Sequence, residues 1–311
     1  MRQSQKFPIF TVTFKKLSIS FGLTVLLMVI ITGGAGCKKR TTIEVPKGIL
    51  QAKSATLDEL IHIVNQLDEI QAAKASNIKA EYTSEKMEGS LIELEKYPRA
   101  PGFILLKRPD STYLRILNPA FRKSEISLVS EGDEFRVWLH SRREFYIGKN
   151  SSRELISDEL EEDPKIPIRA YHIFDAVFPK AIPLNDLVRG YAKTEEEDAH
   201  VKYYVLRVSR VDSFPRIRPL REFWIERVGM TISRQRIFDE DGRIVGDITY
   251  SDAVRIDKYT LPRKINIKRP LDGYTLELEF KDWQVNPSFR EDAFRLEEPV
   301  ELEGVRVIRF K

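Results

Sequence analysis

Cysteine occurs once in the 311 residues, at position 37. A single thiol excludes an internal disulfide, so the fold has to be held by its core. Histidine is nearly as scarce. The four (His62, His140, His172 and His200) lie far apart and share no metal-ligand or catalytic spacing. There is no Gly-x-Ser-x-Gly elbow, no His-Glu-x-x-His and no phosphate-cradling glycine loop. These absences argue against an enzyme and against a resident metal or cofactor. Excess charge is missing too. Residues 1–36 hold four of the 51 Lys and Arg and none of the 47 Asp and Glu, which leaves 47 of each sign beyond them. A neutral domain gives no electrostatic footing for nucleic acid. The chain shows no internal repeat and no low-complexity segment.

One long apolar run is present. Arg2, Lys6, Lys15 and Lys16 precede it, with no acidic residue among them. Leu17 to Ile31 is apolar, and Gly33-Gly34-Ala35-Gly36 follows. A basic region, an apolar stretch and small residues form the layout of an export signal. Ala35-Gly36-Cys37 after that run resembles the bacterial lipobox, with Gly34 where Leu is usual. The resemblance implies a signal over 1–36 and a lipid-attached (palmitate-type) Cys37. The alternative is an uncleaved helix, since the 20 residues from Leu17 to Gly36 are enough to span a bilayer at ~1.5 Å per residue. Either reading puts the rest of the chain outside the cytoplasm, tethered to a membrane. Residues 37–55, with Pro46 and Gly48, read as the tether. Lys38 stands where Asp would suggest retention in the inner membrane; the outer membrane is the expected location, with the inner one left open.

Beyond the tether, residues 56–311 predict one domain. Thr56 and Glu59 stand at capping-box spacing, and Leu57, Leu60, Ile61, Val64 and Leu67 make one helical stripe. The spacing predicts a helix from Thr56 to about Ala73. The period then changes to two. Strands are predicted over Gly102–Lys107, Thr112–Leu117, Ser124–Ser130, Glu134–His140 and Glu144–Gly148. A helical insertion is expected at about 150–184, where Arg169–Phe178 clusters Ile173, Phe174, Val177 and Phe178 between prolines. A second run of strands starts near Asp186, with Glu195–Asp198 read as a solvated acidic loop. Asp239-Glu240-Asp241-Gly242 and Asp272-Gly273 are hairpin turns. Tyr274, Leu276, Leu278 and Phe280 alternate with polar residues, the mark of a sheet with one apolar face. About a dozen such strands cannot stay flat, because twist accumulates. The expected fold is mainly β (α+β): a curved antiparallel half-barrel covered by helices.

With 17 Phe and 11 Tyr, a curled one-sided sheet under a helical cover can keep an apolar cavity. At this point a resemblance enters. The run Gly242 to Pro299 is similar to the end of LolA/LolB-like lipoprotein-sorting proteins. Its shared features are the Leu261-Pro262 step, a polar-apolar hairpin, Asn286-Pro287, and Asp292-x-Phe294 before a final Pro. The run from Arg108 to Gly148 resembles the first half of that family. Residues 150–220 have no aligned counterpart. The resemblance implies an unclosed barrel whose cavity takes acyl chains, and Cys37 makes the chain resemble the lipid-anchored members. The expected function is a periplasm-facing lipoprotein that binds lipid acyl chains or lipoproteins in sorting or transfer. The alternative is a non-transporting envelope lipoprotein that uses the same fold as a protein-binding sensor or scaffold. Ile173, Phe174, Val177 and Phe178 are the expected lid. Leu276, Leu278 and Phe280 are the expected cavity-facing residues.

Overall fold

The structure, a computed structural model, describes residues 52–88, 91–151, 168–183, 189–198, 201–213, 216–299 and 303–310. The expected signal over 1–36, Cys37 and most of the tether lie outside the described residues, as do 152–167 and 184 of the insertion.

The first element among the described residues is helix α1, Leu57–Asn65. Its start follows from the capping box. The Thr56 hydroxyl accepts the Glu59 amide at 3.3 Å, and the Glu59 carboxylate accepts the Thr56 amide at 2.7 Å. The helix ends sooner than its periodicity suggests. A single 3-10 turn, Gln66–Glu69, follows, and strand β1 runs over Ala72–Glu88. Gln71 to Ala75 would suit a helix by propensity, but tertiary pairing overrides it. The Asn286 side-chain oxygen accepts the amides of Gln71 and Ala72 and fixes where the strand begins.

Strands β2 (Leu91–Lys107), β3 (Ser111–Leu117), β4 (Ser124–Glu131), β5 (Glu134–Leu139) and β6 (Glu144–Lys149) continue as an antiparallel meander. Helix α2, Ala170–Val177, comes next. A second meander follows: β7 (Arg189–Asp198), β8 (Val201–Ser213), β9 (Arg216–Glu226), β10 (Thr231–Phe238), β11 (Ile244–Ile256), β12 (Tyr259–Arg269) and β13 (Tyr274–Phe280). Short strands β14 (Gln284–Val285) and β15 (Arg306–Arg309) complete the sheet.

All fifteen strands form one sheet. The order runs β15-β6-β5-β4-β3-β2-β1-β13-β12-β11-β10-β9-β8-β7, with β14 also beside β1. The first and last long strands meet in the middle, where Ala80 faces Leu278 and Tyr82 faces Leu276. The chain thus runs out to one edge, crosses to the other and returns to the centre. The ends of that path, β15 and β7, are not paired with each other, so the curved sheet is open. The crossing between β6 and β7 has to pass over a sheet face, and α2 lies on it, against β3, β4 and β12.

Three cores result. The largest joins the inner faces of β1–β6 and β11–β13 to α2. The second seats α1 on β8 and β9, with Leu60, Ile61 and Val64 against Tyr204, Phe223 and Ile225. The third lies on the opposite face of β3–β6, where Phe294 and Leu296 cover Tyr113, Val129 and Phe145. The acidic run Glu195–Asp198 is an edge strand and not a loop, because its backbone pairs with Val201–Tyr204 of β8. Glu195 reaches Arg227 and Glu196 reaches Arg207, each at 2.8 Å. The Asp239 turn closes on itself. Asp239 Oδ1 accepts the amides of Asp241 and Arg243, which is the work of a hairpin turn and not of a cation loop.

Candidate functional site: the helix-covered inner face

Helix α2 is the centre of this region. Eight residues are too few to hold a helix in water, and no side chain caps its start. Packing holds it. Ile173, Phe174, Val177 and Phe178 are all buried, and Phe174 meets Phe178 edge-on at 5.4 Å. On the sheet, Leu276, Leu278 and Phe280 point into the same core. Phe280 stacks on Trp283 at 4.3 Å, and the Trp283 indole N–H donates to the Pro262 carbonyl.

Polar contacts pin the helix at three places. Tyr250 of β11 lies with its hydroxyl 2.8 Å from the Ala176 carbonyl. Burial pushes the Tyr250 phenol up, so the hydroxyl stays protonated and donates. Tyr274 of β13 meets His172 Nδ1 at 2.6 Å. Arg108 is a cross-brace. Its guanidinium donates to the carbonyls of Ile70 and Leu67, pairs with Asp68 at 3.0 Å and lies 5.1 Å over the Phe178 ring. A fourth link joins the two helical segments. The Asn65 amide exchanges two bonds with the backbone of Ile182, at 2.9 and 2.8 Å.

Between α1 and α2 the cover is incomplete. A cavity of about 150 Å³ remains there, lined by Ile63 and Leu67, by Ala176 and Val177, and by Tyr250 and Leu261 of the sheet. Among the expected lid and cavity-facing residues, Val177 lines this space. Ile173, Phe174, Phe178, Leu276, Leu278 and Phe280 are packed in the filled core beside it. A cavity of that order accepts a ring or a few methylenes, whereas sites for larger ligands run to about 300–1,000 Å³. A longer chain needs α2 to move.

His172 is packed against Tyr274, and its Nε2 has no partner among the described residues. Burial, with Arg269 and Arg169 nearby, holds its pKa well below the usual imidazole value. Because the folded value lies below the unfolded one, the native state binds fewer protons once pH drops beneath about 6.5. Stability contributed by the neutral ring is present above that pH and lost below it, at about 1.4 kcal/mol per pH unit until the folded value is reached. Urea unfolding from pH 7 to 5 should show this slope in the wild type, and His172→Asn should flatten it. Equal slopes in the two proteins would remove His172 as the cause.

Two arrangements escaped sequence reasoning. Ser127 and His140 meet at 3.1 Å across β4 and β5. Burial, then Arg115, lowers the His140 pKa, so the ring is neutral, and Trp138 stacks on it at 4.0 Å. Ser127 is fully buried, which leaves no access for a substrate. The second is Gln235, a buried amide beside Tyr250 on the inner face. No group of three or more His, Cys, Asp or Glu among the described residues is placed to hold a metal ion.

Comparison with known proteins gives a likeness of structure only. No family model matches the chain, and no curated protein matches it. A DUF1329 family protein from Desulfovibrio piger is 14% identical, with 77% of this chain and 95% of that one covered, at a TM-score of 0.46. A LolA superfamily protein from Nitrosomonas europaea is 14% identical, with 78% and 99% covered and a TM-score of 0.45. A putative outer membrane lipoprotein-sorting protein domain from Vibrio parahaemolyticus is 13% identical, with 77% and 97% covered and a TM-score of 0.44. The chain is similar in structure to these proteins. At such values nothing about its ligand or partner follows from them.

Proposed function

We propose that this chain is a lipid-anchored, periplasm-facing protein of the outer membrane that binds acyl chains of lipids or lipoproteins under α2, in sorting or transfer. One observation carries this reading. A marginal helix lies on the inner face of the curved sheet, and its apolar residues share a core with the surface that an acyl chain would use. The cavity at the edge of α2 is where such a chain would start. Ile173, Phe174, Val177 and Phe178 then act as the lid. Leu276, Leu278 and Phe280 are the surface uncovered when it lifts. Catalysis has no part in this reading.

The anchor is assigned from Cys37 and the run before it. Metabolic labelling with a palmitate analogue, followed by mass spectrometry of the purified protein, tests anchor and ligand together. The wild type should carry a covalent lipid at Cys37 and a second, non-covalent acyl lipid. Cys37→Ser should remain an unprocessed, unlabelled precursor. Normal processing of that variant rules out the anchor, and wild-type protein free of non-covalent lipid weighs against the carrier. The filled interior under α2 favours a second reading in that case, a protein-binding sensor or scaffold that keeps the same fold closed.

A further inference from the structure

One polar side chain interrupts the inner face of the second meander. Gln235 is the buried position of β10, and its cross-strand neighbours Phe223 and Ile248 are buried and apolar. A leucine would suit that place and leave nothing unsatisfied. Glutamine brings two donors and an acceptor. Its Oε1 lies 3.0 Å from the Tyr250 hydroxyl, and its Nε2 has no hydrogen-bond partner among the described residues. The same hydroxyl lies 2.8 Å from the Ala176 carbonyl. One hydroxyl hydrogen does not serve both acceptors fully. With the amide turned over, Nε2 donates to the hydroxyl and the hydroxyl to Ala176, but Oε1 is then left alone. Either way one end of this amide lacks a partner while α2 stays down. Buried polar atoms are nearly always paired, so an orphan kept in a core calls for a reason.

The cavity supplies an independent observation. Tyr250 and Ala176 both line it, so the amide sits one hydrogen bond behind its wall. The carboxylates of the lining are Glu226 and Asp252, and it contains no Lys, Arg or His. Lys264 is taken up by Asp252 at 2.8 Å, and Lys258 beside Tyr259 is paired with Glu69. Arg221, whose charge acts on Tyr250, donates to the Lys180 carbonyl, so a fatty-acid carboxylate would meet Glu226 and find no cation in the lining itself.

We propose that the cavity takes a neutral acyl ester, with Gln235 and Tyr250 as the polar anchor for its carbonyl. This rests on the acyl-binding reading and narrows its chemical class. When α2 lifts, the Tyr250 hydroxyl leaves the Ala176 carbonyl and donates to Gln235 Oε1. The Gln235 N–H then donates to the ester carbonyl oxygen, so both ends of the amide have a partner, and the Ala176 carbonyl leaves with the lifted helix. Glycerolipids and diacylglyceryl lipopeptides both carry such an ester.

The test is photo-crosslinking of the full chain in nanodiscs. The probes are a diazirine-tagged monoacylglycerol and the matching free fatty acid, with labelling read by mass spectrometry at neutral pH. The ester should half-saturate at a concentration about tenfold lower than the acid, the worth of about one hydrogen bond. Gln235→Leu, which suits the apolar site, should raise the ester value about tenfold and leave the acid value unchanged. Competition by unlabelled monoacylglycerol or by a diacylglyceryl lipopeptide supports the proposal and shows which source binds. Equal values for ester and acid, or an unchanged ester value in Gln235→Leu, overturn the proposal and leave acyl binding standing. Saturable labelling by neither probe overturns both.

Discussion

Alanine at either Phe174 or Phe178 should destabilise the fold by about 3–5 kcal/mol, the usual cost of a buried Phe→Ala change. Both side chains are buried and touch each other, so the double variant should lose less than the sum of the single ones. Phe178 also gives the Arg108 guanidinium its aromatic platform, and losing it loosens the brace between the 3-10 turn and the end of α2. The prediction that bears on function is separate. In the double variant ANS fluorescence should rise several-fold under conditions where far-UV circular dichroism is unchanged. Hydrogen exchange should speed up over 170–178 and not over β3, β4 or β12. That outcome describes a cover that loosens on an intact sheet. A double variant that unfolds in one cooperative step, with no folded state that binds ANS, would describe a plug and rule out the lid. Ligand binding separates the two further, because a lid loosened in advance lowers the cost of opening and should tighten acyl binding.

Sequence pattern reached the strands because their information is local. Alternation along Tyr274–Phe280 and turn chemistry at Asp272-Gly273 are properties of a few adjacent residues, and Gly273 takes the positive φ that the turn requires. The α2 cluster was legible for the same reason. What escaped depends on partners far along the chain. The start of β1 is set by Asn286, more than two hundred residues away, and the strand character of Glu195–Asp198 by its pairing with β8. The seam between β1 and β13 joins strands that no local period can match. Gln235 reads as an ordinary strand residue until its neighbours Phe223 and Ile248 are known. The filled state of the inner face escaped as well, since alternation tells which side chains point inward and not how closely they pack.

Leu278 should be a costly position to truncate in that seam. It faces Ala80 of β1 on one side and Ile265 of β12 on the other, and it is buried with Leu276 and Phe280. Leu278→Ala removes methyl groups from the strand that joins the two meanders, and the small Ala80 opposite cannot fill the gap. The loss should be about 2–5 kcal/mol, towards the upper end because paired strands on both sides resist collapse. Glu277 and Glu279, one residue to either side, point to the other face, so Glu277→Gln should stay within about 0.5 kcal/mol. The contrast between adjacent positions tests the register directly, since a slip of one residue would exchange the two results. Because β1 and β13 belong to opposite meanders, both halves should lose stability together, in one urea transition followed equally by Trp138 of the first meander and Trp224 of the second. Two separate transitions would mean that the meanders fold as independent units, and the seam would then be a contact between them and not the centre of one sheet. A loss near zero at Leu278 would mean that its side chain already borders space in the resting protein, and acyl binding would then need less movement of α2 than the closed core implies.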